Sequence, residues 1–181
     1  MKFVRIIAYG VALASGYSHA DIRRNVRQFL RLTKNWVRTF NEDVSRHAER
    51  SCPKSPLVIV TGGQSNAANA YDAVRRDEQA TPDGFMFFNG KCYELRSPVL
   101  GTTGDRDSLW PALGGALAKR AGRPVLFING AVGGVQLGDW LDHRSRYEAR
   151  LVEQIQAARA KGYRPDFMLW IQGETDASTM I

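Results

Sequence analysis

The chain has 181 residues, 44% of them hydrophobic and 24% charged, and carries a formal net charge of +7. That is the composition of a globular protein with room for one sizeable core; it excludes a disordered tail, and the lack of any repeat excludes a solenoid. The basicity is local, because residues 21–50 hold eight Lys or Arg against four Asp or Glu.

Lys2 and Arg5 precede an apolar run from Ile6 to Gly16, and Ser18-His19-Ala20 puts small residues at the two positions a signal peptidase reads. The run is about ten residues, whereas a membrane span needs about 20. Residues 1–20 are therefore expected to be a signal peptide cleaved after Ala20, with an uncleaved anchor or an ordinary first helix as the alternatives. Export to a secreted or periplasmic location follows from that expectation.

From residue 21 to 50, Ile22, Val26, Phe29, Trp36, Val37, Phe40 and Val44 fall near helical spacing with Arg23, Arg24, Arg27, Arg31, Lys34 and Arg38 between them. The pattern predicts one basic amphipathic helix. Such a helix packs its stripe on its own domain or contacts an anionic membrane surface. Nucleic acid is not expected as a partner, for no zinc-finger spacing or aromatic RNA-binding motif is present. Cys52 and Cys92 can form one disulfide in an exported chain, and the sequence leaves open whether they do. No Cys or His stands at ligand spacing beside them, so neither a metal nor another cofactor is expected.

Ser51-Cys52-Pro53-Lys54-Ser55-Pro56 is a breaker cluster, and the main domain is expected to span residues 57–181. Leu57-Val58-Ile59-Val60 reads as a buried strand that ends in Gly62-Gly63 before an alanine-containing helix. Phe85-Met86-Phe87-Phe88 reads as a second strand; Asn89-Gly90 turns Cys92 to Leu95 back as a hairpin arm. Leu100 to Ser108 is a polar loop. Trp110 to Ala121 reads as a helix stopped by Gly122 and Pro124, and Pro124 to Ile128 as a strand leading to a glycine-rich turn. Tyr147 to Lys161 is the last long helix, and Phe167 to Ile171 the last strand. Strands alternating with helices predict an α/β fold with a mostly parallel sheet, in which the turns after the strands share one edge where ligands bind.

Three of those turns carry chemistry. Ser65 follows a strand and two glycines, a position that exposes a hydroxyl at the sheet edge with its own N–H at the start of a helix. The strings Gly-x-x-x-x-Gly-Lys and Gly-x-Gly-x-x-Gly, which would favour a nucleotide, are absent. Gly63-Gln64-Ser65-Asn66, then Ala131-Val132-Gly133-Gly134 with Trp140 after it, then Trp170-Ile171-Gln172-Gly173-Glu174-Thr175-Asp176 resemble the ordered blocks of SGNH-type hydrolases. The branch they resemble is the one of sialate O-acetylesterases and acetylxylan esterase-like enzymes. Together the blocks span residues 57 to 177.

The resemblance implies a three-layer flavodoxin-like sheet of parallel strands and deacetylation of an acetylated carbohydrate through an acyl-serine. It makes Ser65 the nucleophile, the N–H groups of Ser65 and of one of Gly133 and Gly134 the oxyanion donors, and the Gln172 side chain a further donor. Glu174 would orient the catalytic histidine, and Asn66 would hold the turn beside the substrate. In that family the histidine lies beyond a fifth strand, in an Asp-x-x-His-like segment, while this sequence stops at Ile181. The last strand, the final helix and the base are thus expected to be missing, as in a truncated reading frame or a partial sequence. Of the three histidines, His19, His47 and His143, only His143 is placed near the active edge, in a run polar enough to be simply solvated. A chain without its base is expected to be a weak or inactive esterase, with a non-catalytic glycan-binding or degenerate SGNH module as the alternative. An uncovered sheet edge would favour self-association.

Overall fold

In the computed structural model, which describes residues 39–71 and 81–178, six strands form one sheet: β1 (Glu49–Arg50), β2 (Leu57–Gly63), β3 (Gly84–Phe88), β4 (Lys91–Glu94), β5 (Val125–Asn129) and β6 (Phe167–Ile171). Their order is β1-β4-β3-β5-β2-β6. The four strands from β3 to β6 in that order run parallel, with Ile59 opposite Phe127 on one side and Phe167 on the other. β4 and β1 add an antiparallel margin, so the sheet is mixed. Asn89 and Gly90 both take positive φ, +46° and +81°, as an Asn-Gly hairpin turn requires.

Four helices complete the described residues: α1 (Trp110–Ala121), α2 (Leu137–Leu141), α3 (Tyr147–Ala160) and α4 (Glu174–Ala177). Because side chains alternate along a strand, β5 feeds two cores. Val125 and Phe127 pack with Met86, Trp110 and Ala118 under α1, while Leu126 and Ile128 pack with Val60, Leu151 and Ala158 under α3. Helix, sheet and helix make three layers. α1 ends where Gly122 adopts the left-handed φ of +62° and returns its N–H to Ala118 O. Phe167 and Met168 on the marginal strand β6 are 60% and 55% exposed.

Cys52 and Cys92 are joined in a disulfide that ties the segment after β1 to β4. Of the residues expected to form a basic helix, 21–38 lie outside the described residues, as does the expected signal peptide. Residues 39–50 do not form a helix. Phe40 bridges to Thr103, Val44–Arg46 makes one 3-10 turn, and Glu49–Arg50 is β1. The reason is tertiary: Asn41 N–H donates to Thr102 O at 2.7 Å, Asn41 O accepts from Gly101 N–H at 2.8 Å, and its side-chain amide reaches Pro98 O and Val99 O. Those bonds take the place of the i to i−4 ladder.

The helix expected after Gly63 also differs. Ser65–Ala67 is a single 3-10 turn, followed by Ala68 in extended conformation. Ala67 O, which a continuing helix would use internally, instead accepts the Trp110 indole N–H at 2.8 Å. Residues 72–80 lie outside the described residues.

Candidate active site

The turns after β2, β5 and β6 meet at the carboxyl edge of the sheet. Val132 N–H donates to Gly63 O at 3.0 Å, and Gln64 N–H to Ile171 O at 2.8 Å. The glycines that end β2 are sterically required. A Cβ on Gly62 would lie 2.6 Å from the Trp170 ring; on Gly63, whose φ is +115°, it would lie 1.9 Å from Ile171 O. Trp170 is held in turn by Trp140, with ring centroids 4.7 Å apart in an edge-on arrangement.

Ser65 is half-buried at the tip of the first turn. Among the described residues, neither its hydroxyl nor its N–H has a hydrogen-bond partner. No α-helix stands behind it, so individual amides must supply what a helix dipole was expected to provide. Gln64, 2% exposed, turns its carbonyl oxygen Oε1 toward the third turn, where it accepts from Gln172 Nε2 and from Thr175 N–H, each at 3.2 Å. Asn66, exposed, donates its side-chain amide to the Glu174 carboxylate.

Gly133 and Gly134 are not equivalent. Gly133 N–H donates to Thr103 Oγ1 at 2.7 Å, whereas Gly134, with φ +67°, leaves its N–H without a partner among the described residues. Gln172 Nε2 also reaches Val135 O at 2.9 Å and the Asp176 carboxylate at 3.0 Å, so its two hydrogens are committed within the protein. Its Oε1 is buried and has no hydrogen-bond partner among the described residues. Asp176 takes the Leu137 N–H on both oxygens, at 3.1 and 3.2 Å. All six residues singled out from sequence, Ser65, Asn66, Gly133, Gly134, Gln172 and Glu174, thus lie on three turns stitched to one another, with Gly134 between two pinned neighbours.

Several participants were not singled out. Asn69 is 2% exposed and spends its side chain on Val99, Thr102 and Gly104, fixing the loop that carries Thr103. Thr103 and Asn69 had only their polar character as a signal, and the reach of Asp176 to Leu137 had none. Beside Thr103 an open groove of about 830 Å³ runs between residues 39–43 and 103–105.

The histidines stand apart. His143 is exposed in a 3-10 turn capped by Asp142, whose carboxyl the Arg144 guanidinium holds below the usual carboxylate range, and among the described residues no hydrogen bond joins it to Ser65. His47 is buried near Glu94, at the opposite end of the sheet. His19 lies outside the described residues. Among the described residues no three His, Cys, Asp or Glu side chains cluster as a metal site would.

A family model described as carbohydrate esterase, sialic acid-specific acetylesterase, matches residues 56–180. Among solved structures, a protein from Arabidopsis thaliana superposes with a TM-score of 0.54 at 23% identity, over 67% of this chain and 59% of that one. A carbohydrate acetylesterase from Xanthomonas citri superposes with a TM-score of 0.40 at 18% identity, over 66% of this chain and 33% of that one. The chain therefore spans 59% and 33% of the lengths of these two structures. No curated protein matches the chain.

Proposed function

The chain belongs to the SGNH-like carbohydrate-esterase family of sialic acid-specific acetylesterases, and from that footing we propose that it removes O-acetyl groups from a carbohydrate through an acetyl-Ser65 intermediate. Ser65 Oγ adds to the acetyl carbonyl carbon, the bond from that carbon to the sugar oxygen breaks, and the sugar oxygen leaves with a proton. Water then adds to the acetyl-serine, releasing acetate and returning the proton to Oγ. The observation that carries this reading is that two groups without a partner among the described residues, the Ser65 hydroxyl and the Gly134 N–H, sit on turns bonded to each other.

The charge that develops on the carbonyl oxygen is taken by the N–H groups of Ser65 and Gly134. Gln172 acts as a brace for the residue 133–137 turn, since its hydrogens are already engaged. Glu174 steadies the Ser65 turn through Asn66 and offers a carboxylate to an imidazole. Among the described residues no imidazole is hydrogen-bonded to Ser65. The groove beside Thr103 gives the sugar room, and the Cys52–Cys92 disulfide supports an exported, oxidising location.

Incubation with a fluorophosphonate, followed by mass spectrometry of the peptide carrying residue 65, tests the assignment. Labelling in the parent and none in Ser65→Ala is expected. A parent chain left unlabelled would remove the hydrolase reading. The absence of a described base favours a second reading, a glycan-binding module, which predicts that binding of acetylated xylo-oligosaccharides survives Ser65→Ala unchanged while no acetate is released.

A further inference from the structure

We propose that Thr103 is the positioning residue that aims the Gly134 amide, an inference that rests on the acyl-serine reading above. Thr103 lies in a loop that carries none of the three motifs. It is 5% exposed and contacts both sides of the rim. Its carbonyl accepts Asn69 N–H at 3.2 Å, on the Ser65 side, and its N–H donates to Ala131 O at 3.1 Å, on the Gly134 side. Its hydroxyl Oγ1 accepts Gly133 N–H at 2.7 Å.

Two successive glycine amides cannot be told apart by chemistry, and neither has a Cβ to restrict its backbone. The hydroxyl of Thr103 tells them apart by holding one. With Gly133 N–H engaged, the Gly134 N–H is the one left over, and Gln172 Nε2 on Val135 O holds the other flank. Without Oγ1, Gly133 N–H becomes an orphaned donor and the peptide is free to turn in search of a partner. An oxyanion donor displaced by about 1 Å costs on the order of 10²-fold in rate.

The experiment compares saturation kinetics of fluorophosphonate labelling at Ser65 in the parent, Thr103→Val, Thr103→Ala and Thr103→Ser. The first two substitutions should lower the maximal labelling rate about 10²-fold with the half-saturating concentration unchanged. Thr103→Ser, which keeps the acceptor, should stay within about threefold of the parent. An unchanged maximal rate in a folded Val or Ala variant overturns the role of Thr103 and leaves the hydrolase reading intact; so does a Ser variant as slow as Val, which would assign the effect to the methyl group. No labelling of the parent overturns the hydrolase reading itself. Amide hydrogen exchange supplies a readout independent of labelling: Gly133 should be protected in the parent and in Thr103→Ser and exchange faster in Thr103→Val and Thr103→Ala. Equal protection in all four overturns the proposal.

Discussion

Asn66 donates its side-chain amide to Glu174 across 108 positions of sequence, joining the turn that carries Ser65 to the turn after β6. Both side chains are exposed, so the bond is screened by water and its contribution to stability is small. Its effect is better read by coupling than by loss. In a double-mutant cycle of Asn66→Ala and Glu174→Ala, unfolding in urea should show a coupling energy of about 0.5–1 kcal/mol. Additive effects would show that the two turns are held by other contacts.

Gly63→Ala should be far more damaging than Gly90→Ala, although both glycines have positive φ. At Gly63 the added carbon would sit 1.9 Å from Ile171 O, where β2 and β6 pair; at Gly90 it meets nothing within 4 Å. The hairpin substitution is expected to cost about 1 kcal/mol, and the one at Gly63 at least about 3 kcal/mol with loss of the β2–β6 pairing. Chemical denaturation of the two variants side by side checks the ordering.

Replacing Cys52 and Cys92 together by Ser removes a crosslink between residues 40 apart in sequence. By loop-closure entropy this costs about 4 kcal/mol. The melting temperature of the parent should fall to that of the double variant on full reduction with dithiothreitol, and the double variant should not respond to the reductant.

His47 makes stability depend on pH in a defined window. Burial holds its pKa below the ordinary value of 6.5, against the opposing pull of Glu94, with Arg46, Arg96 and Asp43 also facing it. The unfolded chain therefore binds a proton that the folded chain refuses, so the stabilisation is complete above pH about 6.5 and is lost as the pH falls through that value toward the lower folded pKa. Thermal melts from pH 7.5 to pH 5 should show a steeper decline for the parent than for His47→Phe. Parallel slopes would remove His47 as the cause.

Elements governed by local pattern were legible in the sequence. Trp110–Ala121 and Phe167–Ile171 have the expected bounds, because an apolar period followed by Gly122, and a short run of bulky apolar residues, are local signals. What long-range bonds decide was not legible. Phe40 and Val44 continue a helical period, yet Asn41 is claimed by the 98–102 loop. The turn at Ser65 stops short of an α-helix because the Trp110 indole captures Ala67 O. The strings around Ser65, Gly133 and Gln172 marked which turns assemble, but only the position of the Thr103 hydroxyl separates the two glycine amides.

The bonds of Asn41 to residues 98–102 have a practical corollary. The segment that buttresses the Thr103 loop precedes residue 56, where the family match begins. A recombinant fragment trimmed to the matched boundary would keep every motif residue and discard the prop beneath them. Its reactivity would then understate that of the whole polypeptide, however well the trimmed fragment expressed.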